Sequence, residues 1–190
     1  MVCGQETFQN VYNFTYIGSE ISAGGSVAPE VERRVCLATA KFNALHHVWR
    51  DGRLSRALQT ALYRVRIVPV LLYGCESWGL SQTICKKIRG FHAQCMKWIF
   101  NTDEHTALSK GLGGDILRMA HRRRWLWLGH LLRTPRDRLT RRVFHSRARP
   151  QPPYRKGSLQ ELCPWVLTEA ELKAKDQRSW ERKFDDIYNA

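Results

Sequence analysis

Acidic residues are scarce in this chain. Seventeen Asp and Glu stand against 31 Lys and Arg, a formal net charge of +14. A surplus of that size disfavours cationic partners and favours a polyanion. No apolar run approaches the roughly 20 residues a membrane helix needs; the longest is Ile67 to Tyr73, interrupted by Pro69. No membrane-spanning segment is therefore expected; the charge suits nucleic acid or an acidic membrane surface, and nucleic acid, not a membrane, is the expected partner. Met1-Val2-Cys3-Gly4-Gln5-Glu6 has neither a basic start nor an apolar core, so no signal peptide is expected. The six cysteines (Cys3, Cys36, Cys75, Cys85, Cys95 and Cys163) form no CxxC pair and are spread along the chain. Free thiols in an intracellular compartment, nuclear or cytoplasmic, are the expectation.

Several kinds of chemistry lack their residues. No G-x-S-x-G elbow is present. Gly111-Leu112-Gly113-Gly114 has no preceding strand and no following Lys-Ser/Thr, so it reads as a plain loop and helix start rather than a phosphate cradle. Phosphoryl transfer on metal ions needs converging carboxylates. Asp103-Glu104 falls in a loop, and Asp185-Asp186 has no partner in the pattern. Cys85, His92, Cys95 and His105 invite a zinc reading, but a structural zinc site normally takes two short ligand pairs. Core packing of Cys95 and His92 is the plainer account. No catalytic residue, metal, cofactor or small-molecule substrate is expected.

The chain is otherwise well furnished for folding. Apolar residues make up 43%, with seven Trp, seven Phe and six Tyr, enough for one domain or two small ones. Val11 to Gly18 reads as a short strand, followed by a Gly/Ser/Pro-rich loop to Pro29. Val31, Val35, Ala38, Phe42, Leu45 and Trp49 form one helical stripe, ended by Asp51-Gly52. Ser55 is a plausible N-cap for a second helix facing inward through Leu58, Leu62, Val65 and Val68, broken at Pro69. A third helix begins after Ser81 and buries Ile84, Ile88, Phe91, Cys95 and Trp98, with Lys86, Lys87, Arg89 and Lys97 opposite. Residues 101–112 read as a loop. A fourth helix spans Asp115 to Leu132, and a short one lies within Arg136 to Arg149. Pro150, Pro152 and Pro153 mark a linker. Thr168 and Glu171 suggest a capping box that opens a last helix to Tyr188.

The positive charge is concentrated. Between His121 and Lys156 there are twelve Lys or Arg and one acid, Asp137, and eleven of the twelve are Arg. A charge run is usually a solvated face. Here few acids are interleaved, and Arg forks onto phosphate oxygens in a way that solubility alone does not require. The expected phosphate contacts are Arg122, Arg123, Arg124, Arg133, Arg136, Arg138, Arg141 and Arg142. Lys86, Lys87 and Arg89 form a second patch. Adjacent Arg122, Arg123 and Arg124 spread over about 200° of a helix, so at least one must snorkel past apolar surface or meet a phosphate. Trp125, Trp127 and Tyr154 are available to stack on unpaired bases.

Several blocks, in order, resemble one family. Phe14-Thr15-Tyr16-Ile17-Gly18-Ser19-Glu20-Ile21 is similar to an F-x-Y-L-G-S-x-I element, and Glu30-Val31-Glu32-Arg33-Arg34 to the helix after it. Pro69-Val70-Leu71-Leu72-Tyr73-Gly74-Cys75-Glu76-Ser77-Trp78 resembles P-x-L-L-Y-G-x-E-x-W. Phe91-His92-Ala93-Gln94-Cys95 resembles F-H-x-x-C, and Arg124 to Arg133 resembles R-W-L-G-H-x-x-R with added residues. These are blocks of reverse transcriptases from non-LTR (LINE-type) retrotransposons, which are RNA-directed DNA polymerases, and they cover roughly residues 12–142. The resemblance implies the thumb and C-terminal region, without the palm aspartates that hold the polymerase metals.

The combined expectation is a mainly α fold. A short N-terminal strand or hairpin (residues 1–29) leads to a thumb-like helical bundle (30–133), a basic Arg/Pro-rich extension (134–156) and a loosely attached helical tail (157–190). The expected function is binding of template–primer backbone, with RNA, DNA or an RNA–DNA hybrid as partner, no catalysis by this chain alone, and a palm domain supplied in trans for any polymerisation. The alternative is a retrotransposon-derived fragment with no selected activity. It would act at most as a helical protein-interaction module, with Trp49, Trp78 and Trp98 as candidates for an exposed apolar face.

Overall fold

Tyr16-Ile17-Gly18-Ser19 turns the chain back on itself. Two-residue strands at Val2–Cys3 (β1) and Glu6–Thr7 (β2) pair first. Asn13–Tyr16 (β3) then pairs antiparallel with Ser19–Ser22 (β4), Tyr16 opposite Ser19. Both turn residues have positive φ, 47° at Ile17 and 76° at Gly18, the type I′ pattern whose twist matches a hairpin. Of the expected strand or hairpin, the chain forms the hairpin, and the loop starts only after Ser22. The computed structural model describes residues 2–3, 6–7, 11–110, 112–147, 174 and 176–188. The proline linker and the Thr168/Glu171 capping box lie outside these. Mainly helical as expected, the chain divides into two compact units, residues 1–73 and 74–190.

In the first unit, Ala28–Ala44 (α1) buries Val31, Ala38 and Phe42, while Val35 is half-buried. The expected single stripe breaks at Leu45, and Trp49 belongs to a separate turn, His46–Arg50 (α2). The break lets Trp49 fold back on Phe42, with rings 4.9 Å apart and its Nε1 donating to the Phe42 carbonyl at 2.9 Å. Glu30 and Arg34, one helical turn apart, are buried as a pair, Nε to Oε1 at 2.6 Å. The other Glu30 oxygen accepts from the Glu20 N–H at 2.7 Å, and Arg33 and Arg34 both donate to the Gly18 carbonyl. Tyr73 donates to the Ile17 carbonyl at 3.0 Å. These bonds hold the hairpin turn on α1 and offset the left-handed backbone at β-branched Ile17.

Arg56–Arg66 (α3) is capped by Ser55, whose hydroxyl accepts from the Leu58 N–H at 3.2 Å. Its inward face matches expectation in part, with Val68 buried and Leu62 half-buried. Leu58 and Val65 are exposed, and Gln59, Tyr63 and Ile67 are buried. Gln59 Nε2 donates to the Val48 carbonyl at 2.8 Å at the end of α2, where that acceptor has no helical donor. Pro69 ends the ladder as expected: Val68–Leu71 forms a separate turn (α4), and Gly74 takes a left-handed φ of 73°.

The second unit opens with a 3-10 turn at Cys75–Ser77 packed against the long helix Ile116–Arg133. Gln82–Phe100 (α5) begins at the Ser81 cap and buries Ile84, Ile88, Phe91, Cys95, Met96 and Ile99. Trp98 is 57% exposed, a correction to the expected stripe, while Trp49 and Trp78 are buried. Residues 101–112 are not all loop. Asp103 caps a short helix, Glu104–Ser109 (α6), by accepting from the Thr106 N–H at 2.8 Å. Ile116–Arg133 (α7), Leu139–Arg147 (α8) and Gln177–Tyr188 (α9) follow among the described residues. The tail is expected to be loosely attached, but part of its described stretch is packed. Ala174, Trp180 and Phe184 form one apolar cluster with Trp125, Leu128, Leu131, Leu132 and Phe144.

Candidate nucleic-acid interface

Helix α7 carries both the main core contacts and the densest charge. Asp115 caps it, accepting from the Leu117 N–H at 2.9 Å. The Trp125 and Trp180 rings stack 4.2 Å apart at 10°, and each indole N–H donates to the other residue's carbonyl, at 2.8 and 2.9 Å. Gly129 makes room for this. A Cβ there would overlap the Trp180 ring. Trp125 is thereby removed from the residues available for base stacking, and Tyr154 lies outside the described residues.

The expected arginines divide by burial. Arg122, Arg136, Arg138 and Arg142 are exposed, and Arg123 is half-buried. Arg124 is 1% exposed, so it neither snorkels nor reaches a phosphate. Its guanidinium lies close enough to Cys75, Cys85 and His121 to bear on their ionisation. Arg141 is also buried, and its Nη1 donates to the Leu132 carbonyl at 2.7 Å and to the Thr134 carbonyl. It closes the C-terminal end of α7, where carbonyls lack helical donors and a cation is favoured. Arg124 and Arg141 thus leave the phosphate-accessible set. Arg133 is half-buried and gives Nη1 to the Ala174 carbonyl at 3.0 Å. Lys86, Lys87 and Arg89 are all exposed on α5.

Among the described residues, no carboxylate pairs with Arg122, Arg138 or Arg142. By contrast, Arg118 is paired with Asp185, and Lys97 stands 3.9 Å from Glu104. Exposed Trp127 lies beside the arginines. With His130, Arg133, Thr134, Pro135 and Arg138 it lines a groove of about 480 Å³ where α7 gives way to α8. Of these, His130, Thr134 and Pro135 are not among the expected nucleic-acid contacts. His130 sits in the last turn of α7, and Thr134 and Pro135 follow it directly.

A second cavity, about 390 Å³, lies between α5 and the start of α7, lined by Arg89, His92, Leu112, Asp115 and Ile116. Nearby, Tyr188 donates to Asp115 Oδ2 at 2.9 Å, and the Tyr188 and His121 rings lie 5.9 Å apart. Burial, then the Arg124 charge, holds the His121 imidazole below its ordinary range. Burial and the bond to Asp115 push the Tyr188 phenol up to about 12. The sequence pattern did not bring these groups together. Of the zinc candidates, Cys95 is buried in the α5 core and His92 Nε2 sits 3.1 Å from the Leu112 carbonyl, with His105 exposed. Among the described residues, no three His, Cys, Asp or Glu side chains converge as a metal site would require. Nor, among them, is any helix long and apolar enough to cross a membrane.

No family model matches the sequence, and no solved structure matches it. The chain is similar to an uncharacterized transposon-derived protein of Caenorhabditis elegans, 23% identical over 141 residues, which are 69% of this chain and 50% of that protein. The chain thus spans about half the length of that relative.

Proposed function

We propose that this chain binds nucleic acid through its phosphates, as the thumb and C-terminal part of a LINE-type reverse transcriptase, and performs no polymerase chemistry by itself. A transposon origin is supported by the likeness to the transposon-derived nematode protein. The reverse-transcriptase part of the reading rests on the ordered motif blocks. One observation carries the binding: on α7, α8 and the turn between them, Arg122, Arg138 and Arg142 are exposed and have no carboxylate partner among the described residues. Cations left unneutralised on one unit attract a polyanion and release its counterions on contact. The test is fluorescence anisotropy of a labelled RNA–DNA hybrid across a salt series, comparing the wild type with Arg122/Arg136/Arg142→Glu. Affinity should fall steeply with salt, and the variant should flatten the log–log slope by roughly 0.9 per lost contact. Weak binding that ignores the substitutions would sink the proposal.

A second reading, a helical protein-interaction module, has one observation in its favour. The hairpin of the first unit exposes Tyr12, Phe14, Tyr16 and Ile21, more than half of each side chain's surface. Phe14 and Ile21 are cross-strand partners, so their side chains share a face. Weak nucleic-acid binding that ignores the substitutions in the same experiment would leave this reading in front.

A further inference from the structure

We infer that the groove at the α7–α8 junction takes one unpaired base of a single-stranded nucleic acid, stacked on Trp127, while Arg133 and Arg138 meet the flanking phosphates. The inference rests on the binding reading above and narrows it from phosphate backbone in general to an unpaired nucleotide. Four observations converge. The groove's volume of about 480 Å³ falls within the roughly 300–1,000 Å³ of small-ligand sites. One wall is an indole, 37% exposed, while Trp125 two residues earlier is fully enclosed. Trp127 is thus the α7 tryptophan that the core leaves accessible. The rim is cationic, and Arg133 is held in place by its bond to the Ala174 carbonyl, which uses one of its five N–H donors. Finally, Thr134, Pro135 and Thr140 line the same groove without adding a negative charge.

The chemistry distinguishes an unpaired base from a duplex. A paired base has both faces covered by its neighbours, so it cannot lie flat on an indole until it is unstacked. Stacking on an aromatic side chain is tolerant of base identity because every base has a π-face, and Arg supplies both charge and a cation–π contribution. The groove therefore favours single strands over duplexes without selecting a sequence. The shared chemistry admits RNA and DNA.

The test measures binding of labelled single-stranded RNA, single-stranded DNA and a blunt duplex of the same sequence to the full chain. Trp127→Ala should weaken single-strand binding by roughly 5- to 150-fold, leave duplex binding nearly unchanged and keep the salt slope. Trp127→Phe should retain most of the affinity. Arg138→Gln should flatten the single-strand slope by about 0.7. The strand type that loses more to Trp127→Ala identifies the natural one. If Trp127→Ala loses the near-UV circular dichroism of the folded protein, Trp127→Phe and Trp127→Leu decide instead. Binding kept by Phe and lost by Leu supports the groove, and binding kept by both overturns it. Unchanged single-strand binding in Trp127→Ala, alongside a loss in Arg122/Arg136/Arg142→Glu, would overturn the base site and leave backbone binding standing. No response to either variant would overturn both.

Discussion

Arg141 and Arg142 are neighbours in sequence and opposites in role. Arg142 points to solvent, and Arg141 is enclosed with its guanidinium on the last carbonyls of α7. Arg141→Ala should lower stability by about 1–3 kcal/mol, the range for hydrogen bonds to a charged group and for a carbonyl left unsatisfied. Chemical denaturation would show the loss, and the salt slope of nucleic-acid binding should not move. His121 gives a second prediction at this scale. Its folded pKa is depressed by burial first and Arg124 second, while Asp115 acts the other way and Arg89 adds to the depression. The unfolded chain then binds the proton more readily. Stability is full above the unfolded value near 6.5 and declines as pH falls below it. Denaturation midpoints should therefore drop from pH 7.5 to pH 5, and His121→Asn should flatten that dependence. An unchanged slope in the variant would assign it to another group.

Helices show where local pattern suffices and where it fails. The starts of α3, α5 and α7 were legible because Ser55, Ser81 and Asp115 are capping residues that do cap. The break at Pro69 was legible for an equally local reason. The inward face of α3 was legible only in part. Its Leu58, Leu62 and Val65 have the right period, but α2 presents carbonyls that only a donor such as Gln59 can satisfy, and that need belongs to another helix. Trp98 failed in the same way, since Met96 and Ile99 complete the α5 core without it. The site was half legible. The sequence located the basic band, but which arginines become internal caps depends on where α7 ends and what packs on it. Gly129→Ala tests the docking of α9: its methyl would meet the Trp180 indole. Overpacking of this kind costs about 1–3 kcal/mol. Tryptophan emission should shift to the red and α9 should become susceptible to limited proteolysis. Unaltered emission would mean that the two helices can separate slightly at no penalty.

For the whole molecule, charge and fold follow different boundaries. The +14 surplus is concentrated between His121 and Lys156, inside the second unit, whereas the exposed aromatic hairpin belongs to the first. A polyanion and an apolar partner would thus engage different parts of one chain. The reciprocal pair in the second unit carries a further consequence. Trp125 and Trp180 are separated by 55 positions, yet each completes the other's hydrogen bonding. A smaller ring at either position removes one bond and opens a void against the remaining indole. In inheritance the two tryptophans, together with the glycine that admits them, amount to a single character spelled at two distant places.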